Sequence, residues 1–313
     1  ACSARRSFVG SSRRQQEIFE ILCDSYPEYP KARFVVLTLD MEYMGAGQSI
    51  SNYRTQLDEV ADLKLLFPEQ LLPFISVDPR RPDILDWVKY YVEQRGFVGI
   101  KLYPPLGYFP FDKRLLPIYE YAVQHDLPVL THCDIGGIYY RGEISDEHLR
   151  PESFIPGHKP EYKRLRNKDF KDHFTNPENY IPILKHKGLE NLKLCMAHLG
   201  GIEMIKGLVT SSDTRIDWHR AVLDLLKYKN VYADISFSLH DNDVWGKLKA
   251  DIQDTLYREK ILFGTDFYMT VRHVEEIQLV ENFRKKTGIT IEDWQQIAFE
   301  NPRNFIRSTF YTP

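Results

Sequence analysis

Seven short apolar runs set the limits on what this chain can become. They lie at 34–40 (FVVLTLD), 71–78 (LLPFISVD), 97–103 (FVGIKLY), 128–133 (PVLTHC), 192–198 (LKLCMAH), 231–237 (VYADISF) and 261–267 (ILFGTDF). Most are apolar nearly throughout instead of alternating, which is how strands buried on both faces read. Amphipathic segments separate them. The segment 84–95 stops at Gly96, 114–125 runs up to Asp126 and Pro128, and 176–187 opens on Asn176 and Pro177, an N-cap followed by a first-turn proline. The segments 217–228 and 274–285 repeat the pattern, and 13–23 is a helix ahead of the first run. Strand–helix alternation along the whole length predicts one parallel α/β domain spanning 1–313, with no linker or internal repeat. A chain of 313 residues suffices for one large α/β barrel.

The longest connection, 134–175, is polar and punctuated by glycine, and loops of that length in compact domains usually act as lids or stay disordered. Its basic stretch at 158–173 reads as a solvated surface, with steering of an anionic substrate as the alternative. The net charge of −3 gives no reason to expect nucleic acid or an anionic membrane as partner. No run of about 18 apolar residues exists to span a bilayer. Residues 1–16 carry two basic clusters without an apolar stretch, so they do not form an intact signal peptide. Of the four cysteines, Cys2, Cys23, Cys133 and Cys195, none forms a C-x-x-C pair. Cys133 and Cys195 lie in apolar runs and read as reduced, buried thiols, which fits a cytoplasmic setting.

Polar side chains inside buried strands are the informative exceptions, because burying an unpaired charge costs several kcal/mol. Lys101 (GIKLYPP), His132 (VLTHC), His198 (MAHLGG) and Asp266 (FGTDF) occupy equivalent places near the C-terminal ends of their strands. In a barrel those ends converge on one mouth, where active sites sit. Each residue alone has a plainer explanation: a hydrogen-bonded core histidine, a turn-capping aspartate, a buried ion-pair lysine. Their shared position argues against four such coincidences. Imidazole nitrogen and carboxylate oxygen are the donors that Zn²⁺ accepts, and Mn²⁺ is a second candidate. The metal would acidify a bound water, and Asp266 beside it could take the proton.

These residues sit in motifs that resemble the amidohydrolase superfamily, in the branch of metal-dependent TIM-barrel hydrolases that also contains aminocarboxymuconate semialdehyde decarboxylase. The landmarks are FISVDPRRPD at 74–83, GFVGIKLYPPLGY at 96–108, LPVLTHC at 127–133, LKLCMAHLGG at 192–201, VYADIS at 231–236, ILFGTDFYM at 261–269 and ENPRNFI at 300–306. Each is weak alone; in order they are strong. The resemblance implies a (β/α)8 TIM barrel. It makes His132 and His198 the histidines ending strands five and six, and Asp266 the strand-eight aspartate that both binds metal and moves a proton. Lys101 stands where some members carry a carboxylated lysine bridging two metals; otherwise it contacts substrate. The superfamily's first strand ends in His-x-His, supplying two further ligands, and no His-x-His occurs here. The expectation is therefore a barrel whose strand one is missing from the chain, with 34–40 as strand two. Asp40 and Glu42 lie two apart near the mouth. They are placed as substrate contacts or loop caps, with replacement of the lost ligands as the lesser alternative. Tyr103, Tyr108, Tyr139 and Tyr140 either line the pocket or pack its rim.

The function expected is hydrolysis of a C–N or C–O bond in a small-molecule amide, lactone or ester. Non-oxidative decarboxylation on the same fold and metal is the alternative, and a binding protein or inactive relative the third reading. Fold analogy points to a homo-oligomer.

Overall fold

The structure is a computed structural model, and it describes residues 14–208 and 217–313. All seven apolar runs form strands: β1 (Phe34–Leu37), β2 (Leu71–Val77), β3 (Gly99–Leu102), β4 (Val129–Thr131), β5 (Leu194–Met196), β6 (Val231–Asp234) and β7 (Ile261–Leu262). They pair in parallel in sequence order, β1 to β7, with a helical crossover between each consecutive pair. The sheet curls into the wall of a TIM-barrel-like α/β fold. Every residue of β2 is buried, as a strand covered on both faces requires.

Register assigns the faces. Val35 pairs with Leu72, and Phe74 with Gly99. On the concave side Leu72, Phe74, Val98, Leu130, Cys195, Ala197 and Leu262 form one cluster with Phe305 and Ile306. The last two residues come from the helix Asn301–Ile306, which plugs the barrel floor. Fully buried Asn301 fixes that plug by donating its amide to the carbonyls of Arg258 (2.8 Å) and Ile261 (2.7 Å). β1 and β7 are the two edges, and Val35 and Leu37 on β1 remain 40% exposed where their neighbours Leu72 and Phe74 are buried.

The helices follow their sequence signals with small shifts. Ile84–Arg95 is one helix, stopped by Gly96 at φ 76°. The segment 176–187 divides into a 3₁₀ turn, Pro177–Tyr180, and a single α turn, Ile181–Leu184; Asn176 caps it by accepting from the Glu178 N–H at 3.0 Å. Asp217 likewise caps Trp218–Leu225. The first helix runs Gln15–Asp24, and the last long one Glu276–Lys286. The N-terminal basic clusters and Cys2 fall outside the described residues. Among the described residues no helix is long and apolar enough to cross a membrane.

The insertion 134–175 carries its own structure. It holds the helices Asp146–Leu149 and Asn167–Thr175, and its Phe170, Phe174 and Tyr162 pack with Phe109 and Phe111 from the loop after β3. In the basic stretch Lys159, Lys163, Arg164, Arg166 and Lys168 are exposed, in keeping with a solvated surface. Lys171 is the exception, being buried.

Gly99 shows how tightly the concave face is filled. A Cβ there would stand 2.4 Å from the Phe74 ring. Gly99→Val should therefore destabilise the fold by about 1–3 kcal/mol through overpacking, read as a lower urea midpoint. In a double mutant with Phe74→Ala, part of that loss should return as positive coupling. Additive effects would contradict the contact.

Candidate functional site

Of the four strand-end residues, only Lys101 lies within a strand. His132 follows β4, His198 stands in the short turn Ala197–Gly200 after β5, and Asp266 precedes the short helix Phe267–Thr270 after β7. The reason is geometric: past the last ladder bond the backbone is free to turn and aim a side chain across the mouth. His132 still anchors through its N–H to the Leu102 carbonyl at 3.1 Å. His198 and Leu199 take left-handed backbone (φ 67° and 50°), and Gly200 and Gly201 continue it at 88° and 95°. Gly201 is required for a second reason, because a Cβ there would lie 2.5 Å from the Asp134 carboxylate.

The structure brings His132 and His198 together, with His132 Nδ1 3.2 Å from His198 Nε2. The carbonyl of Ser236 lies 3.1 Å from His198 Nδ1. A carbonyl only accepts, so Nδ1 carries the proton and Nε2 presents its lone pair to His132. His132 Nε2 faces the Gly136 carbonyl at 3.4 Å, and the Tyr103 ring stacks on the imidazole at 4.3 Å between centroids. Burial, then the neighbouring His198 and Lys101, push the His132 pKa well down, so its ring is neutral.

Asp266 also adopts left-handed backbone (φ 60°), and its side chain does not cap the helix that follows. Among the described residues its carboxylate makes no hydrogen bond. Burial raises its pKa; His198 and Lys101 oppose that rise, and Asp234 and Asp134 add to it. Lys101 is buried and has no ion-pair partner within 4 Å among the described residues. Burial pushes its pKa down to about 8, against the pull of Asp234 first and Asp266 second. The fully buried thiols of Cys133 and Cys195 are free, and burial drives their pKa values well up.

The sequence reading passed over Asp234, which organises the site. Its Oδ1 accepts from the His198 N–H (3.0 Å), the Ser236 N–H (2.9 Å) and the Ser236 hydroxyl (2.5 Å). Buried Asp134, whose Oδ1 accepts from the Gly136 N–H at 2.8 Å, was also missed. The signal for Asp234 was present: a carboxylate in VYADIS, inside a strand otherwise apolar.

Other candidates lie elsewhere. Glu42 pairs with Arg81 (2.7 Å) and accepts from the Tyr53 N–H (2.5 Å), while Asp40 takes a two-point contact from the same guanidinium (2.6 and 2.9 Å). These contacts are those of loop caps, and the structure does not bring either acid to the histidines. The Tyr108 hydroxyl donates to the Val77 carbonyl and accepts from the Tyr103 N–H, which makes it a packing residue. Tyr140 lies against Arg80, and Tyr139 against Arg141, on the rim.

Imidazole nitrogens and a carboxylate are donor types that a divalent metal accepts. Two nitrogens bound to one tetrahedral ion at about 2.1 Å stand roughly 3.4 Å apart, close to the separation of His132 Nδ1 and His198 Nε2. The carboxylates of buried Asp234 and half-buried Asp266 both act on the ammonium of Lys101, two negative charges against one positive. Among the described residues no three His, Cys, Asp or Glu side chains converge into a complete cage.

A model of the amidohydrolase family matches residues 40–307. No curated protein sequence matches. Among solved structures, the chain is similar to a 5-carboxyvanillate decarboxylase of Novosphingobium aromaticivorans complexed with manganese and a nitrobenzoic acid (TM-score 0.60, 13% identity, 97% of this chain and 86% of that one). It is similar to a probable 2-pyrone-4,6-dicarboxylic acid hydrolase of Acinetobacter baumannii (0.59, 12%, 97% and 95%). It is also similar to a 4-oxalomesaconate hydratase of Rhodopseudomonas palustris (0.53, 17%, 96% and 85%).

Replacing Asp234 by Asn removes the negative charge that acts most strongly on Lys101 while keeping an acceptor for two N–H groups. The Lys101 pKa should then fall below its value of about 8. A ¹³C NMR titration of the lysine side chains reads this directly, and an unchanged or raised Lys101 titration would contradict the arrangement.

Proposed function

Because the chain belongs to the amidohydrolase family, we propose that it is a metal-dependent hydrolase that cleaves a C–N or C–O bond of a small-molecule amide, lactone or ester. The single observation that carries this reading is the His132–His198 pair, whose Nδ1 and Nε2 face each other at 3.2 Å beside an uncapped Asp266. His132, His198 and Asp266 are the residues that would hold the metal, Zn²⁺ first and Mn²⁺ second. When bound, it supplies Lewis acidity and a water acidified to near neutrality.

The chain's own residues supply the rest. The Asp266 carboxylate, with its raised pKa and no competing hydrogen bond among the described residues, accepts a proton from the attacking water. The Lys101 ammonium, without a direct ion-pair partner among the described residues, attracts negative charge that develops on the substrate oxygen. Ser236 and Asp234 hold His198 in its Nδ1–H tautomer and orientation. Tyr103, stacked on His132, keeps water from that face of the ring. A cytoplasmic, reducing setting is proposed with this chemistry and is in keeping with three free thiols, Cys23, Cys133 and Cys195.

A decarboxylase is the second reading. It is favoured by Lys101, whose buried ammonium is equally suited to a substrate carboxylate, and by the likeness to a manganese-containing decarboxylase.

Purified protein should bind Zn²⁺ or Mn²⁺, and the His132→Ala/His198→Ala double variant should lose that binding. Asp266→Asn should lower turnover at least about 100-fold, the scale of a lost general base. Assays of ester, lactone and amide cleavage, run beside CO₂ release from unsaturated carboxylic acids, separate the two reactions. Failure to bind either metal, with Asp266→Asn as active as the parent, would refute both readings.

A further inference from the structure

Lys171 is a buried cation that the proposed chemistry does not use. It lies on the helix Asn167–Thr175 of the insertion, 7% exposed, on the same face as the buried Phe170, Phe174 and Thr175. The five Lys and Arg residues between 159 and 168 are exposed. A charge kept inside needs compensation. Lys171 finds it in Asp172, at 2.8 Å, and in the backbone carbonyl of Ile135, to which its ammonium donates.

The Ile135 contact matters because of what adjoins it. Asp134 Oδ1 accepts from the Gly136 N–H, closing a tight turn around Ile135. The carbonyl of Gly136 faces His132 Nε2. Ile135 is therefore the midpoint of the turn that carries one of the two groups contending for the His132 proton. The other is His198 Nε2, whose lone pair is fixed by Ser236. A proton on Nε2 of His132 goes to Gly136 and leaves Nδ1 open; a proton on Nδ1 goes to His198 and closes the pair to any ion.

We propose that Lys171 is a positioning residue for His132: by gripping the Ile135 carbonyl it holds the 134–137 turn so that the Gly136 carbonyl draws the His132 proton to Nε2, leaving Nδ1 free as a ligand. The role rests on the reading of His132 and His198 as metal-holding residues. It makes the packed insertion part of the metal site's support, through one side chain and one turn.

The test uses metal-free, full-length protein labelled with ¹⁵N-histidine at mildly alkaline pH. Long-range ¹H–¹⁵N spectra distinguish the two tautomers, and His132 is assigned by its loss in His132→Gln. The wild type should show a populated Nε2–H form of His132, and Lys171→Met should shift it towards Nδ1–H. Lys171→Arg, which keeps a cationic donor, should restore it, and exposed Lys168→Met should leave it unchanged. Co²⁺ titration should show 10- to 100-fold weaker binding in Lys171→Met, the scale for losing support behind a ligand.

Should Lys171→Met fail to fold, as judged by thermal unfolding, Lys171→Gln takes its place, with a smaller shift in the same direction. A wild type holding only the Nδ1–H form overturns the proposal, and so does a folded Lys171 variant with an unchanged His132 spectrum. A wild type that holds the Nε2–H form, with the shift in Lys171→Met, but binds no Co²⁺ instead refutes the metal-site reading, so the two failures are separable.

Discussion

The carboxylate of Asp234 is the interaction on which the mouth of this barrel depends. One oxygen accepts from the His198 N–H, the Ser236 N–H and the Ser236 hydroxyl. Through the first bond it holds a histidine in backbone that L-residues disfavour by roughly 1–2 kcal/mol. Through Ser236 it presents the carbonyl that fixes that histidine's tautomer. Its charge is also the largest single influence opposing the desolvation of Lys101. Because that lysine sits at about 8, the unfolded chain, near 10.4, binds more protons between those values. This residue's contribution to stability therefore rises with pH across that window.

Much of this was legible in the sequence. Strands covered on both faces must be apolar on both, so β2 through β6 stand out as runs; the interspersed helices announce themselves by Gly96, Asn176 and Asp217. His132, His198, Lys101 and Asp266 were visible because a polar group in such a run needs a reason. Asp234 obeys the same logic, yet its importance depends on the two residues that follow it turning back over β5, a relation of neighbouring strands that no single segment contains. The insertion was opaque for a related reason. Its polar composition reads as loop, while its order comes from Tyr162, Phe170 and Phe174 packing against Phe109 and Phe111, far away in the chain. Glu42 stayed open between substrate contact and loop cap because its partner, Arg81, arrives from the turn after a different strand.

The similar structures include a decarboxylase, a hydrolase and a hydratase on one scaffold. That spread fits the division of labour in this chain. The barrel wall is closely packed, with Gly99 seated under Phe74 and Asn301 anchoring the floor; in barrels of this kind the residues just past the strands carry the chemistry.

Four consecutive residues, His198 to Gly201, turn with positive φ. Two are glycines, for which this is easy, and two are not. The strain carried by His198 and Leu199 is settled when the chain folds. On the proposed metal-holding role, a cation would therefore meet an imidazole already aimed, and its capture would be governed by dehydration of the ion and its diffusion to the mouth.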